Sequence, residues 1–354
     1  MNIKAIALIG CSAAMLLSGC SSQEDENPET MVETQALQSG DYGAALPFQS
    51  TSLRQQHQIR SASLIDNLYI GTGLLSYTKG RFSPSSYTIQ EGQFLVYDEL
   101  DNLLSRESDS NPDALNPASG SQFDTGKGNV ESAVLVRDIY EVDFIRDKET
   151  KGVGIALVLN GIVGDQNIEV NADRLQAFGE EAARKLVTYL RKMPEIGDSM
   201  PIYVALYKNM STESTLPGTF FSEAYFEGRS ANFSDIDEQW VMFPGDEASA
   251  LDNASATQFL QVKNSLANFL PDDVSMIGKG RFRDGKLSEL HITVEMYAKT
   301  ATEALSLTQY LKSLLNTFSS LDYKIQVEVR CQDVTIATMV RDIGEKDVEV
   351  NTLL

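Results

Sequence analysis

Apolar positions change spacing several times along the chain, and each change marks a different kind of element. A run of mainly apolar residues from Ala5 to Leu17 follows a single cation, Lys4, and no acidic residue occurs before Glu24. At a rise of about 1.5 Å per residue the run extends roughly 20 Å as a helix, short of the roughly 30 Å hydrocarbon core of a bilayer. It reads as a cleaved export signal, residues 1–19, and not as a membrane span. From Ser21 to Leu53 apolar residues thin out, Lys and Arg are absent, and Glu24, Asp25, Glu26, Glu29, Glu33 and Asp41 carry the charge. Residues 20–41 therefore predict a disordered acidic tether, on the order of 25 Å across, and the folded body begins at Tyr42.

Within the body, residues 64–97 read as a helix, an SPSSY turn and a strand IQEGQFLVY. Ser105–Gly128 is poor in apolar residues and rich in Ser, Asn, Asp, Pro and Gly, which predicts a long surface loop. Two units with one order of elements follow. In the first, GIALVLN (154–160) is an apolar strand. A helix over 172–193 then places Leu175, Phe178, Ala182, Leu186, Tyr189 and Met193 on one stripe, and PIYVALY (201–207) is the next strand. Asn171 suits the start of that helix and Pro194 its end. In the second, LSELHITVEMY (287–297) alternates, a helix over 300–318 aligns Ala304, Leu307, Leu311, Leu314 and Phe318, and YKIQVEV (323–329) is a strand. Phe259, Val262, Leu266 and Phe269 define a further helix that ends at Pro271.

The expected fold is α+β, two strand–helix–strand units with helices packed on mixed sheets. The units match in element order and not in residues. That leaves open a duplication, with halves at 42–230 and 231–354, or two unrelated units. The tetrapeptide Lys-Gly-Arg-Phe occurs at 79–82 and at 279–282, after a helical stretch in one case and between an apolar stretch and a strand in the other. It reads as chance identity.

Charge narrows the function classes. The 354 residues carry 29 Lys and Arg against 50 Asp and Glu, a net charge of −21 at pH 7. Nucleic acid is thereby excluded as an expected partner, since phosphate binding needs concentrated cations, and so is adsorption of the body to an anionic lipid surface. At 42% hydrophobic residues the composition is that of a globular protein.

Candidate chemistry is sparse. The two histidines, His57 and His291, are far apart in sequence and form no zinc motif. There is no GxSxG elbow, phosphate loop or GxGxxG; Gly71-Thr72-Gly73 lacks the third glycine. Asp109, Asn111 and Asp113 imitate the opening of a calcium loop, but Ala114 stands where glycine is needed and Gly120 where a bidentate Glu is needed, so the segment reads as a turn region. No catalytic residue, cofactor or metal is expected. Acidic Asp246-Glu247 suits a helix N-terminus.

The end of the apolar run is more specific. Leu17-Ser18-Gly19-Cys20 resembles the lipobox of bacterial lipoproteins, in which the cysteine thiol takes a diacylglyceryl group and a peptidase cuts just before it. Cys20 is then the lipidation site. Cys11 leaves with the signal, Cys331 alone remains in the body, and no intramolecular disulfide is available.

Several segments carry a family resemblance in order along the chain: LPF (46–48), SPSSYTIQEGQFL (83–95), NPDALNP (111–117), GIALVLN, PIYVALYK (201–208), LPGTFFSEAYF (216–226), QWVMFP (239–244) and IGKGRF (277–282). Together they are similar to the CamS family of sex pheromone lipoproteins of Gram-positive bacteria. The resemblance implies a lipid-anchored protein on the extracytoplasmic face of the cell membrane, lipoprotein-processing peptidases as partners, and a discarded signal that yields a short hydrophobic pheromone. That peptide would end at Gly19, with Ser12-Ala13-Ala14-Met15-Leu16-Leu17-Ser18-Gly19 as its extent, and would be sensed by a receptor of recipient bacteria. The resemblance supplies no catalytic residues. The body is then a binding or structural module, or an envelope enzyme or chaperone: converging carboxylates and a His in a cleft would favour the enzyme, an exposed apolar or aromatic groove the binder.

Overall fold

The computed structural model describes residues 31–353, apart from Gln38, residues 61–63, residues 210–213 and Asp272. The expected signal, lipobox, Cys20 and peptide segment lie outside the described residues. Within the span expected as tether, strand β1 (Val32–Glu33) pairs antiparallel with β2 (Ala45–Leu46), and the Asp41 carboxylate pairs with Lys79.

Helices α1 (Arg54–Arg60) and α2 (Leu64–Thr78) come next, then strand β3 (Thr88–Glu91) and helix α3 (Tyr97–Leu104). The expected strand IQEGQFLVY is thus cut after Glu91. Glu141 reaches across at that point and its carboxylate accepts the N–H groups of Phe94 (3.0 Å) and Leu95 (2.8 Å), replacing a strand partner. A side chain at Gly92 would meet Glu141 Cβ at 2.4 Å, so the residue there must be small. The Glu99 carboxylate then accepts Val96 N–H and starts α3.

The segment expected as a surface loop is partly interior. Ala114, Leu115 and Asn116 are buried, and β4 (Gln122–Asp124) and β5 (Asn129–Glu131) form a small hairpin. Asn116 acts as a rung of a sheet. Its amide donates to the carbonyls of Leu104 (2.8 Å) and Val136 (2.9 Å) and accepts the N–H groups of Leu135 and Val136, both at 2.8 Å. Polar residues pass inward here because side chains satisfy the backbone groups that water would otherwise serve.

The first sheet continues with β6 (Val136–Arg146) and β7 (Glu149–Asn160), a two-residue pair β8 (Ile162–Val163) and β9 (Ile168–Glu169), helix α4 (Ala172–Leu190), and strands β10 (Ile202–Asn209), β11 (Thr219–Phe226) and β12 (Ser234–Asp235). Its order is β12-β11-β10-β7-β6-β3, with β7 and β10 parallel and the other pairs antiparallel. The apolar run of β7 has no alternation because both faces are covered. Ile155, Leu157 and Leu159 face a core shared with Leu175, Ala182 and Leu186 of α4; Ala156 and Val158 face Ile70 and Leu74 of α2. Asn171 caps α4 through Asp173 N–H (3.0 Å). The helix ends at Leu190, before Pro194, where the buried Arg191 donates to the carbonyls of Gly197 (2.9 Å) and Met200 (2.5 Å).

The second sheet is built from β13 (Glu238–Phe243), β14 (Val274–Arg283), β15 (Lys286–Met296), β16 (Lys324–Cys331), β17 (Val334–Arg341) and β18 (Glu349–Thr352), in that order. Helices α5 (Asp246–Leu251) and α6 (Asn253–Phe269) precede β14, and α7 (Ala301–Leu314) links the parallel pair β15 and β16. Asp246 and Glu247 occupy the first turn of α5, as expected. Phe259, Val262 and Leu266 of α6 and Ala304, Leu307 and Leu311 of α7 cover one face. After Leu314 the chain tightens into a 3-10 turn, so Leu315, not Leu314, is the fully buried residue. Strand β14 includes the whole second Lys-Gly-Arg-Phe, which the sequence places before a strand. Side chains at Gly278 and Gly280 would meet Phe259 at 2.7 Å and Phe243 at 2.4 Å, so glycine is used where these rings approach the sheet. The first copy follows α2 instead, so the two copies share no structural context.

The two sheets have the same strand order and the same pairing sense at every step. This is a likeness of topology and does not establish a duplication. The α+β class holds.

Candidate functional site

The second sheet is covered by helices on one face only. Alternation along β15 sends Leu290, Ile292, Val294 and Met296 into the core and leaves Glu289, His291, Thr293 and Glu295 on the other side. Pairing then lines outward residues of four strands into rows. Lys279, His291, Gln326 and Val340 form one; Ile277, Thr293, Glu328 and Thr338 form the next. Leu68, Tyr69 and Thr72 of α2, from the other half of the molecule, stand over these rows as a wall. The result is an open groove of about 580 Å³.

One end of the groove is rigidified by aromatic rings. The ring of Trp240 lies 5.0 Å from Tyr69 and 5.5 Å from His291, both edge-on. Burial, followed by the charge of Glu289, raises the pKa of Tyr69 and keeps its hydroxyl protonated. His291 Nε2 lies 3.0 Å from Glu289 Oε2, and Arg281 donates to the other Glu289 oxygen at 3.3 Å. Burial alone would raise the pKa of Glu289. The hydrogen bond from His291 and the charges of Arg281, His291 and Arg283 outweigh it and hold the carboxyl at about 2.

Behind the groove, this chain of charges fastens the halves together. Glu238 of β13 is buried and accepts Arg281 Nε (3.0 Å) and Nη2 (2.5 Å), the Tyr77 hydroxyl of α2 (2.5 Å) and the N–H of Phe220 in β11 (3.2 Å). Arg283 adds a longer contact to Glu238 (3.4 Å) and lies over the Tyr77 ring. The position of α2 above the second sheet therefore rests on Glu238.

His57 lies elsewhere, on the buried side of α1. Its Nδ1 is 2.9 Å from Asp138 Oδ2, its ring stacks on Tyr140 at 4.2 Å, and it borders a separate, mainly apolar cavity of about 380 Å³ with Phe48, Leu74 and Ile89. Asp138 is held in turn by Ile139 N–H (2.9 Å), so the pair anchors α1 to β6. Among the described residues neither histidine is hydrogen-bonded to a hydroxyl or thiol. Cys331 is a free thiol facing the Ala298 carbonyl at 4.0 Å.

The segment with calcium-like spacing is committed to other bonds. Asp113 takes the Lys192 ammonium (2.8 Å), and the Asn111 amide donates to Asn102 O and Ser105 Oγ, both at 2.9 Å. Among the described residues no group of three or more His, Cys, Asp or Glu converges on one point, and no helix is long and apolar enough to cross a membrane. Sequence reasoning singled out His291 and the alternation that exposes it, met Lys279 only as part of the repeated Lys-Gly-Arg-Phe, and did not single out Tyr69 or Gln326. Those are brought to the same place by pairing and by the packing of α2, neither of which has a local signal.

Two covered halves, with one sheet face left open beneath a helix of the other, define an α+β protein organised around a groove. The same fold occurs in a crystal structure of a sex pheromone precursor from Lactobacillus salivarius subsp. salivarius UCC118, with a TM-score of 0.82 and 21% identity over 92% of this chain and 99% of that one. The structure of the C-terminal domain of the sex pheromone staph-cAM373 precursor from Staphylococcus aureus matches with a TM-score of 0.70 and 20% identity, over 83% of this chain and 98% of that domain. The chain belongs to the CamS sex pheromone cAM373 precursor family, whose model matches residues 48–347. No curated protein sequence matches it.

Proposed function

We propose that the chain is the precursor of a lipoprotein held on the extracytoplasmic face of the cell membrane, with a signal peptide that is also the source of a signalling peptide and a body that is a non-catalytic binding module. The observation that carries the first part is Leu17-Ser18-Gly19-Cys20, which closes the apolar run in a chain of a pheromone-precursor family. A diacylglyceryl group on Cys20 supplies two acyl chains, enough for stable anchoring where one chain is marginal. Lipoprotein-processing peptidases would release residues 1–19, and trimming would leave Ser12–Gly19. That octapeptide has no charged side chain, and Leu16 and Leu17 are its main anchors for an apolar receptor pocket of recipient bacteria.

The binding reading of the body is supported by the groove. Its volume suits a small-molecule ligand, and its floor is a rigid sheet rather than a loop. Each histidine is bonded to a carboxylate and, among the described residues, to no nucleophile. The test of the anchor is metabolic labelling with a fatty acid: the wild type takes up label and Cys20→Ala does not. Mass spectrometry of the culture medium should find fragments of residues 1–19 ending at Gly19. Equal labelling of both proteins would overturn the anchor, and a medium free of such fragments would overturn the peptide.

A further inference from the structure

The groove's lining is close to neutral in a protein that is strongly acidic overall. The whole chain is at −21, yet its lining contributes one lysine, one histidine and one carboxylate. The carboxylate is already used: Glu328 accepts the Thr335 hydroxyl at 2.5 Å and lies 3.9 Å from the Arg330 guanidinium. His291 is held through Nε2 by Glu289, and among the described residues its Nδ1 makes no hydrogen bond. Lys279 has no carboxylate within ion-pair distance among the described residues. The acid whose field reaches it, Asp66, is buried and already accepts the Tyr207 hydroxyl (3.0 Å) and Gly218 N–H (3.2 Å). Burial lowers the Lys279 pKa and the charge of Asp66 offsets only part of that, as expected for an ammonium held partly away from water. In a chain with 50 carboxylates, a half-buried cation in the middle of a groove with no ion pair among the described residues is suited to pair with an external anion.

The walls specify the rest of the ligand. Leu68 and Ile277 are large apolar side chains left substantially exposed; with Tyr69 they flank the Lys279 row, and Val340 closes its far end. We propose that the groove binds an organic anion, with its apolar or aromatic body against Leu68, Tyr69, Ile277 and Val340 and its anionic group paired with the Lys279 ammonium. This rests on the reading of the body as a binding module and adds the chemical class of its ligand.

The chain has a single tryptophan, Trp240, next to the groove, and this makes the test site-specific. Anilinonaphthalene sulfonate is an aromatic anion whose emission can be sensitised by tryptophan; phenyl naphthylamine is its uncharged counterpart. Titration of the folded body with each, read by energy transfer from Trp240, should give saturable binding of both, tighter for the sulfonate. Lys279→Met should weaken the sulfonate by about ten-fold or more, as expected for loss of a charge-assisted contact, and leave the neutral probe unchanged. Lys279→Arg should restore it, and benzoate should displace it. Thr72→Trp, which fills the groove, should abolish binding of both probes, read by their own emission on direct excitation. If Lys279→Met binds the sulfonate as tightly as the wild type, or the neutral probe binds as tightly as the charged one, the anion assignment is wrong while the groove stands. If both probes bind Thr72→Trp unchanged, the groove is not a binding site and both readings fall.

Discussion

Replacement of Glu238 by alanine should be among the most damaging single changes in this protein. Its carboxylate is 2% exposed and serves donors from three elements: Arg281 of β14, Tyr77 of α2 and the Phe220 amide of β11. Alanine leaves the Arg281 guanidinium, itself 9% exposed, with Glu289 alone, and leaves two further buried donors without an acceptor. Removal of one member of a buried ion pair typically costs about 3–5 kcal/mol. Glu238→Gln keeps one oxygen, enough for Arg281 and Tyr77 at the Oε2 position, but loses the charge and turns its NH2 toward the Phe220 N–H, so it should cost less than alanine, about 1.5–3 kcal/mol. Because buried pairs gain little over apolar substitutes, the double variant Glu238→Met with Arg281→Met should be less destabilised than the sum of its parts. Urea unfolding followed by circular dichroism and by Trp240 emission measures both quantities. A loss below about 1 kcal/mol for Glu238→Ala would refute the claim that this carboxylate fastens the halves.

Other sites give independent tests. Burial, then the charge of Glu141, pushes the Asp143 carboxyl from 3.8 up to about 8, so between those values the folded protein holds a proton that the unfolded chain has lost. Stability should therefore fall as pH rises through that window, by up to about 1.4 kcal/mol per pH unit, and Asp143→Asn should flatten the slope; parallel urea midpoints for both proteins across the window would exclude it. Asn116→Ala removes four bonds between 2.8 and 2.9 Å and should cost about 2–4 kcal/mol, with faster hydrogen exchange at Leu135 and Val136. Gly280→Val puts a Cβ at 2.4 Å from the Phe243 ring and should lower stability by about 1–3 kcal/mol through overpacking, measured as a drop in the thermal midpoint.

What the chain's own pattern determined is what depends on near neighbours. Helical stripes at 172–193 and 300–318, the unbroken apolar run of β7 and the alternation of β15 each follow from burial on one face, two faces or alternate residues, and the folded elements agree to within a turn. The Asn171 cap and the acidic start of α5 are equally local. Only tertiary structure decided where polar groups enter the interior, because each is admitted by a partner far along the chain. Glu141 ends β3 by binding amides 46 and 47 residues away, and Asn116 becomes a rung of the first sheet through Leu135 and Val136. Arg341 breaks the apolar face of β17 because the carbonyls of Phe318 (2.7 Å) and Ser320 (2.6 Å) receive it. The groove belongs to the same class. Lys279, His291 and Gln326 become neighbours by strand pairing, and Tyr69 joins them when Glu238 draws α2 across from the other half. Periodicity tells a residue which side of its own element faces the core. It carries no information about which other element stands opposite, and that is what makes a site.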